Sequence, residues 1–339
     1  MTDRPVVSVV IDNYNYAALL PAAIESALDQ TWPALEVIVV DDGSTDESRD
    51  IIAGYGGRIR PVLQENRGQA AAFNAGVAAA RGDVICFLDS DDVWYPGKVE
   101  RVMAAFAAYP EIGWLRHRLL VVGPDDRPRG MSLPSFRGHR VRVPDPHYFI
   151  EGCFPVLTSA VAMRRSLAER VFPLPEVTAA NGPYPGVDLM RDADAYLAFR
   201  AAAMGDPFLS LDEDLGHYRR HAHQRYVSAD DIEPIVRRYM AVAAGVATAF
   251  DDRLGYSVLP STVFKHAAIL AGLEGRSLLH RTRLAPAVAG MRRILPLALT
   301  RPRLFARQTG ALALGTLAPR VWARKLMRQQ GFLHGGNGA

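Results

Sequence analysis

The stretch Val84-Ile85-Cys86-Phe87-Leu88-Asp89-Ser90-Asp91-Asp92 joins a fully apolar strand to a cluster of three carboxylates. Three further apolar strands precede it, and a segment with helical spacing follows each of the four. We predict strands over 6–11, 36–40, 59–63 and 84–88. Because right-handed crossovers place helices on both faces of such a sheet, the pattern predicts a Rossmann-like α/β fold with a mostly parallel sheet.

The connecting segments predict four helices in the first 110 residues. Ser44 and Glu47 have the spacing of a capping box, which predicts that the second helix begins there. The other three are predicted over 19–28, 68–80 and 97–109. Prolines interrupt 113–185, which we predict as strands and loops over the sheet edge. A helix is then predicted over 192–204 and a short strand over 208–211.

Acidic residues follow the predicted strands, at the sheet edge where ligands bind in such folds. Burying several carboxylates together is costly unless a partner compensates their charge. Asp89 and Asp91 suit Mg²⁺ or Mn²⁺, which bind carboxylates together with substrate phosphates. For an isolated match, an Asp-rich turn that caps the next helix is an equal alternative.

Composition excludes several classes of protein. The 339 residues are 49% hydrophobic and 22% charged, which excludes a disordered chain. The two cysteines, Cys86 and Cys153, exclude a disulfide scaffold and a Cys-rich zinc site. No window reaches about 18 uninterrupted apolar residues, because arginines interrupt the best C-terminal candidates, so we predict no membrane-spanning helix. The N-terminus lacks the order of a signal peptide, which predicts a cytoplasmic location.

Acidic and basic residues are distributed unevenly along the chain. Residues 1–230 contain 23 Lys and Arg against 31 Asp and Glu, whereas 231–339 contain 16 against 5. We predict 231–339 as a basic, mostly helical C-terminal region. Within it, 276–328 mixes Arg with apolar residues at amphipathic spacing, which predicts peripheral attachment to an anionic membrane surface on its inner face. The alternative is a helical domain that packs on the rest of the chain, and no motif supports nucleic-acid binding.

Several motifs in order resemble the inverting family 2 glycosyltransferases, which have the GT-A fold. The motifs are 6–15, 39–46, 65–68 with 74–76 and 81–82, and 87–92. The resemblance covers about residues 5–228. It implies a catalytic domain over 1–230, with a nucleotide-binding half over 1–112 and an acceptor half over 113–230, followed by the C-terminal helical extension.

The resemblance also implies an activity. Members move a sugar from a nucleotide diphosphate sugar to an acceptor hydroxyl, with inversion at the anomeric carbon and with Mn²⁺ or Mg²⁺ as cofactor. We take a UDP-sugar as the first donor to consider. Synthesis of a polysaccharide, a lipid-linked glycan or another cell-surface glycan is the implied setting, and the base, sugar and acceptor stay open.

Individual residues receive roles from the same resemblance. Asp41 would bind the nucleotide base, and Asp89 would contact the ribose or the sugar. Asp12 stands where proline is more usual and receives no catalytic role. The other residues that the resemblance places at the nucleotide-binding site are Ile11, Asn13, Asn66 and Arg67.

The metal and the diphosphate are assigned in the same way. Asp91, with Asp89, would bind the metal that bridges the diphosphate, and Arg219 would stabilise negative charge on the departing group. His221 is a candidate ligand of either the metal or the phosphate. Neighbouring His223 extends this cluster, and an ordinary surface histidine is its alternative.

Asp192 is the implied catalytic base, in a segment where Arg191 replaces a more usual Glu. The attacking hydroxyl must lose a proton, and a carboxylate within hydrogen-bond reach can accept it. Asp188 and Asp194 are rival candidates. The alternative for each acid is a helix N-terminal residue that the helix dipole stabilises.

Two other classes of function stay open. A sugar nucleotidyltransferase could use a similar sheet and metal, but it needs a glycine-rich first turn with a basic residue, which 12–15 lacks. A non-catalytic scaffold that binds carbohydrate or a membrane could retain the fold without the reaction. An assay with nucleotide sugars separates these classes.

Overall fold

A computed structural model describes residues 4–134, 136–144, 156–174, 176, 193–221, 295 and 302–317. The chain divides into two compact units. The first comprises residues 1–144, 156–176 and 189–224, and the second comprises 145–155, 177–188 and 225–339. The predicted division into catalytic halves and a C-terminal region stays a prediction.

Among the described residues of the first unit, ten strands form one mixed sheet. Its parallel half has the order β3-β2-β1-β4, which places β1 at the centre. The four strands are β1 (Val7–Asn13), β2 (Leu35–Asp42), β3 (Arg60–Gln64) and β4 (Val84–Asp89). All four predicted strands are therefore present, with ends that differ from the predicted ones by no more than two residues.

The other half of the sheet mixes strand directions. Beyond β4 the order is β9-β6-β10-β5, in which β9 runs antiparallel to both of its neighbours and β6 runs parallel to β10. Two further strands, β7 and β8, pair with β6 and β10. The strands are β5 (Val93–Trp94), β6 (Trp114–Val122), β7 (Pro128–Leu133), β8 (Arg140–Arg142), β9 (Val161–Arg164) and β10 (Phe208–Arg219).

Helices connect these strands. Those of the first unit are α1 (Leu20–Leu28), α2 (Ser48–Gly54), α3 (Gln69–Ala79), α4 (Lys98–Ala108), α5 (Arg165–Val171) and α6 (Ala193–Ala203), with 3₁₀ turns at Gly56–Arg58 and Thr158–Ala160. The predicted helix over 192–204 is present as α6. The region 113–185 contains α5 as well as strands and loops, so its prediction as strands and loops alone was incomplete.

The predicted capping box at Ser44 is wrong. Helix α2 begins at Ser48, its N-cap residue Glu47 makes no side-chain capping bond, and the Ser48 backbone N–H donates to Asp46 Oδ1 (3.0 Å) rather than to Ser44. The Ser44 hydroxyl accepts hydrogen bonds from the Asn13 side chain (3.1 Å) and the Asn15 backbone N–H (2.9 Å) instead. Ser44 therefore joins the loops after β1 and β2, because a hydroxyl at this position reaches donors across the strand ends.

Helix α3 packs closely on the sheet at Gly76. A Cβ atom at this position would lie 2.3 Å from Val10 Cγ1 and 3.2 Å from Val40 Cγ2. Both valines belong to central strands and are fully buried. The absence of a side chain at Gly76 is therefore what allows α3 to approach β1 and β2.

We expect Gly76→Ala to lower the free energy of unfolding by about 1–3 kcal/mol, because the added methyl overpacks a filled core. Chemical denaturation followed by circular dichroism measures this change. Gly54→Ala is the matched control, because Gly54 is also helical and a Cβ added there would meet nothing within 4 Å. Helix propensity predicts that this control stabilises by less than about 1 kcal/mol. Equal effects of the two substitutions would contradict the role of close packing at Gly76.

The second unit is described at Leu295 and at helix α7 (Pro302–Leu317). Leu312 of α7 is buried and Leu317 is exposed. Across the described part of the chain, no helix combines the length and the hydropathy that crossing a membrane requires. Most of the predicted membrane-binding segment 276–328 lies outside the described residues, so that contact stays a prediction.

Candidate active site

The strand ends bring acidic and polar side chains to one edge of the sheet. In the register of the central strands, Asp12 at the end of β1 is the partner of Asp89 at the end of β4. Asn13 is likewise the partner of Asp41 in β2. Residues that pair in register on neighbouring strands point to the same face of the sheet. These side chains therefore lie at the sheet edge where the sequence predicts them, beyond the carboxyl ends of parallel strands.

Residues Asp89–Asp92, which we call the acid loop, bring three carboxylates together. One side-chain oxygen from each of Asp89, Asp91 and Asp92 lies within 4.8 Å of the others. Asp92 is fully buried, and its Oδ2 atom has no hydrogen-bond partner in the described part of the chain. Burial, together with the charge of Asp91, raises the pKa of Asp92 well above its usual value. A divalent cation would compensate these charges.

Asp92 belongs to the predicted loop but not to the predicted metal ligands. Its burial distinguishes it from Asp89 and Asp91, which are both partly exposed. A run of acids in the sequence does not show which of them points inward. The structure adds Asp92 to the residues that could hold a cation.

Protein hydrogen bonds hold the first part of the acid loop. The backbone N–H of Asp92 donates to the carbonyl of Asp89 (3.0 Å), which closes a turn. The backbone N–H of Asp89 donates to Ser159 Oγ (3.0 Å). Trp94 Nε1 in turn donates to the Ser159 carbonyl (2.8 Å). Ser159 and Trp94 are both buried, so these bonds fix the loop from inside the protein.

The end of β10 contacts the other part of the acid loop. The backbone N–H of Arg219 donates to Asp92 Oδ1 (3.1 Å), and its Nε donates to the Asp91 carbonyl (2.6 Å). His221 Nε2 lies 3.0 Å from Asp91 Oδ2, and the His221 ring meets Tyr16 edge-on. The structure thus brings together Asp91, Arg219 and His221, which the family resemblance had linked through the diphosphate.

Asp12 joins this cluster through Gln69 at the start of α3. Gln69 Nε2 donates hydrogen bonds to Asp12 Oδ2 (3.1 Å) and to Asp89 Oδ1 (3.3 Å), so one side-chain amide links the two carboxylates. Burial raises the pKa of Asp12 to about 7 and the charge of Asp91 adds to this effect, whereas hydrogen bonds with Gln69 and Asp89 oppose it. No sequence signal identified Gln69, because glutamine at a helix start is common.

Asp41 is buried at the end of β2, and each of its oxygens accepts hydrogen bonds. Its donors are the Asn13 side chain (3.1 Å), the Ser44 backbone N–H (3.0 Å) and Arg49 Nε (2.8 Å). Burial raises the pKa of Asp41, but hydrogen bonds from Ser44 and Arg49 outweigh it and the net shift is downward. Asp41 orders the loops after β1 and β2, and its contact with a nucleotide base stays a prediction.

The loop between β3 and α3 lies against the end of β2. Asp42 accepts hydrogen bonds from the backbone N–H groups of Arg67 (2.9 Å) and Gly68 (2.7 Å). Gly43 has a positive φ of 78°, and a Cβ there would lie 2.5 Å from the Asn66 backbone nitrogen. Glycine thus permits Asn66 and Arg67 to approach the strand ends.

The structure leaves three other predicted site residues, Ile11, Arg67 and Asp192, without a demonstrated contact to a ligand. Ile11 is fully buried in the hydrophobic core, so its side chain contributes to packing. The Arg67 side chain pairs with Glu176. Asp192 lies immediately before α6 and outside the described residues, as do Arg191, Asp188 and His223. Asp194 is within α6, but its side chain is outside the described part of the structure. The assignment of the catalytic base therefore stays a prediction.

A mixed, mostly parallel sheet with a carboxylate loop at the end of β4 is what the resemblance to GT-A glycosyltransferases leads one to expect. Comparisons with known proteins agree with this class. The model of glycosyl transferase family 2 matches residues 8–165, which run from β1 through the acid loop to the start of α5. The chain resembles an S. aureus TarS crystal structure in complex with UDP-GlcNAc, with a TM-score of 0.59 and 17% identity over 96% of this chain and 92% of that one.

Relatives of known sequence extend the comparison. An uncharacterized glycosyltransferase of Nostoc is 37% identical over 231 residues, which cover 66% of this chain and 67% of the relative. An uncharacterized glycosyltransferase of Rickettsia prowazekii is 37% identical over 176 residues, 48% of this chain and 53% of the relative. The putative teichuronic acid biosynthesis glycosyltransferase TuaG of Bacillus subtilis is 43% identical over 102 residues, 29% of this chain and 40% of TuaG. The chain belongs to glycosyltransferase family 2, and the predicted family and fold class are confirmed.

Proposed function

We propose that this glycosyltransferase moves a sugar from a nucleoside diphosphate sugar to an acceptor hydroxyl in one displacement that inverts the anomeric carbon, and that it requires a divalent cation. The observation that carries this proposal is the acid loop, in which three carboxylates converge within 4.8 Å and one buried oxygen of Asp92 has no protein partner among the described residues. Carboxylates held this close need a compensating positive charge.

Asp89, Asp91 and Asp92 would hold Mn²⁺ or Mg²⁺ in this proposal. A cation bound there supplies positive charge for the donor's two phosphates and for the departing nucleoside diphosphate. His221 lies beside Asp91 and so stands within reach of the same group, as a ligand of either the cation or a phosphate. The nearby Gln69 amide orients Asp89 through its hydrogen bond.

The nucleoside would lie at the ends of β1 and β2. Asn13, Ser44 and Asp41 form one hydrogen-bonded group at this edge, and Asn66 approaches it across Gly43. In the proposal Asp41 orders this surface and contributes to base recognition. Arg67 borders it through its backbone, which Asp42 holds.

Asp192 would accept the proton of the attacking hydroxyl. A single displacement requires a base on the acceptor side, because the hydroxyl becomes an oxygen bridge only by losing its proton. The support for Asp192 is its place in the family motif directly before α6. Asp188 and Asp194 are close enough in sequence to require a direct comparison.

The relatives suggest which substrates to test first. TarS was crystallised with UDP-GlcNAc, so a UDP-sugar is the first donor for assay. The name of TuaG refers to teichuronic acid biosynthesis, which supports a cell-surface polysaccharide as the product class. A hexose is the sugar class that we propose to test first.

The test is release of nucleoside diphosphate from UDP-, GDP-, CDP- and TDP-sugars, with Mn²⁺ or with EDTA. We expect release from at least one donor, only with the cation, and NMR of the product should show an inverted anomeric configuration. A nucleotidyltransferase would instead release pyrophosphate from a nucleoside triphosphate and a sugar phosphate. A non-catalytic scaffold would release neither product, and either result would contradict the proposal.

A further inference from the structure

The guanidinium group of Arg219 faces backbone carbonyls. Besides the bond from Nε to the Asp91 carbonyl, Nη2 donates to the Leu19 carbonyl (3.1 Å) and lies 3.5 Å from the Ser90 carbonyl. The Arg219 backbone N–H adds the bond to the Asp92 carboxylate. One residue at the end of β10 thus contacts three consecutive residues of the acid loop and the residue before α1.

These contacts determine the shape of the acid loop. The carbonyls of Ser90 and Asp91 set the direction of the two peptide units that lie between the metal-binding side chains. A planar guanidinium presents its N–H donors in a fixed fork, so it can hold neighbouring carbonyls at once. A lysine ammonium carries the same charge but cannot span that geometry.

Ser159 holds the first residue of the same loop, through its bond with the Asp89 backbone N–H. Asp89, Asp91 and Asp92 repel one another in the absence of a cation, so the loop needs restraints to keep them convergent. Arg219 and Ser159 supply these restraints at the two ends of the loop.

We propose that Arg219 is a positioning residue that holds the acid loop in its cation-binding shape, rather than a ligand of the leaving diphosphate. The inference rests on the proposed function, because it concerns the cation site of that function. It replaces the role that the family resemblance implied for Arg219. The contacts of the guanidinium with the backbone carry it.

The test is calorimetric titration of the full chain with Mn²⁺ in the absence of nucleotide. We expect Arg219→Lys and Arg219→Ala both to weaken Mn²⁺ binding by about 10- to 100-fold, the usual effect of removing a residue that orients metal ligands. If Arg219 instead bound the leaving diphosphate, the variants would behave differently. In that case Mn²⁺ affinity would be unchanged, and Arg219→Lys would retain much of the affinity for a nucleoside diphosphate.

Two further variants complete the test. Ser159→Ala frees the Asp89 N–H and should weaken Mn²⁺ binding in the same direction, which covers the case in which an Arg219 variant fails to fold. Arg101→Ala is the control, because Arg101 is half-exposed, pairs with Glu213 and should leave Mn²⁺ affinity unchanged. Thermal unfolding checks that each variant is folded.

The outcomes separate this inference from the proposed function. If the folded Arg219 and Ser159 variants bind Mn²⁺ as tightly as the wild type does, the positioning role alone is overturned. Wild-type chain that binds no Mn²⁺ in the absence of nucleotide would overturn this inference alone, because the cation of the proposed function also has phosphate ligands from the donor. Weaker binding in the Arg219 and Ser159 variants, with Arg101→Ala unchanged, would support the inference.

Discussion

Asp91→Asn is expected to lower turnover about 1000-fold. The substitution keeps the size of the side chain but removes the charge of a carboxylate at the centre of the acid loop. A bound cation contributes several kcal/mol to stabilising charge in the transition state. Because about 1.4 kcal/mol corresponds to a tenfold change in rate, loss of the cation produces an effect of this size.

Turnover is measured as release of nucleoside diphosphate at saturating donor and fixed Mn²⁺. Asp125→Asn is the control, because Asp125 is an exposed acid that pairs with Arg129 outside the acid loop. This control should keep wild-type turnover, and both variants should unfold at temperatures close to that of the wild type. Full turnover by Asp91→Asn would contradict the proposal that a cation bound at Asp91 is needed for the reaction.

Asp192→Asn is expected to lower kcat about 100- to 10,000-fold, the usual contribution of a general base. The amide cannot accept the proton of the attacking hydroxyl, whereas donor binding needs no such transfer. Affinity for the nucleoside diphosphate with Mn²⁺ should therefore stay close to the wild-type value. Single-turnover kinetics and calorimetry together separate the two quantities.

Asp188→Asn and Asp194→Asn are the matched variants for this experiment. All three replace an acid by its amide within seven residues of the chain. We expect only Asp192→Asn to lose turnover by the stated factor. A loss confined to Asp188→Asn or to Asp194→Asn would move the base to that residue, and equal small losses would leave none of the three in this role.

The position of the site could be predicted from local sequence. The strand that ends at Asp89 and the strand that ends at Asp42 are each a short apolar run followed directly by acids, so both the burial and the end of each strand can be read from a few residues. In a parallel sheet these ends lie at one edge, so the placement of both acids at that edge follows from topology. The strand bounds could be predicted for the same reason, whereas the family was identified from the resemblance of several motifs in order.

Long-range hydrogen bonds could not be predicted in this way. Ser159 reaches Asp89 across 70 residues, and Arg219 reaches Leu19 across 200. A backbone carbonyl such as that of Leu19 has no sequence signature, so the orientation of the Arg219 guanidinium was open. Ser44 had a local capping pattern, and its actual donors come from a neighbouring strand end.

Cation-dependent binding of a nucleoside diphosphate is measured most directly by thermal unfolding of the full chain. The ligands are UDP, GDP, CDP and TDP, each with Mn²⁺ or with EDTA. A ligand at about 100 times its Kd stabilises the folded state by about 2.7 kcal/mol. We predict that at least one of the four raises the unfolding temperature with Mn²⁺ and fails to do so with EDTA. An equal rise in EDTA, or no rise with any of the four, would contradict a cation shared by the acid loop and the diphosphate.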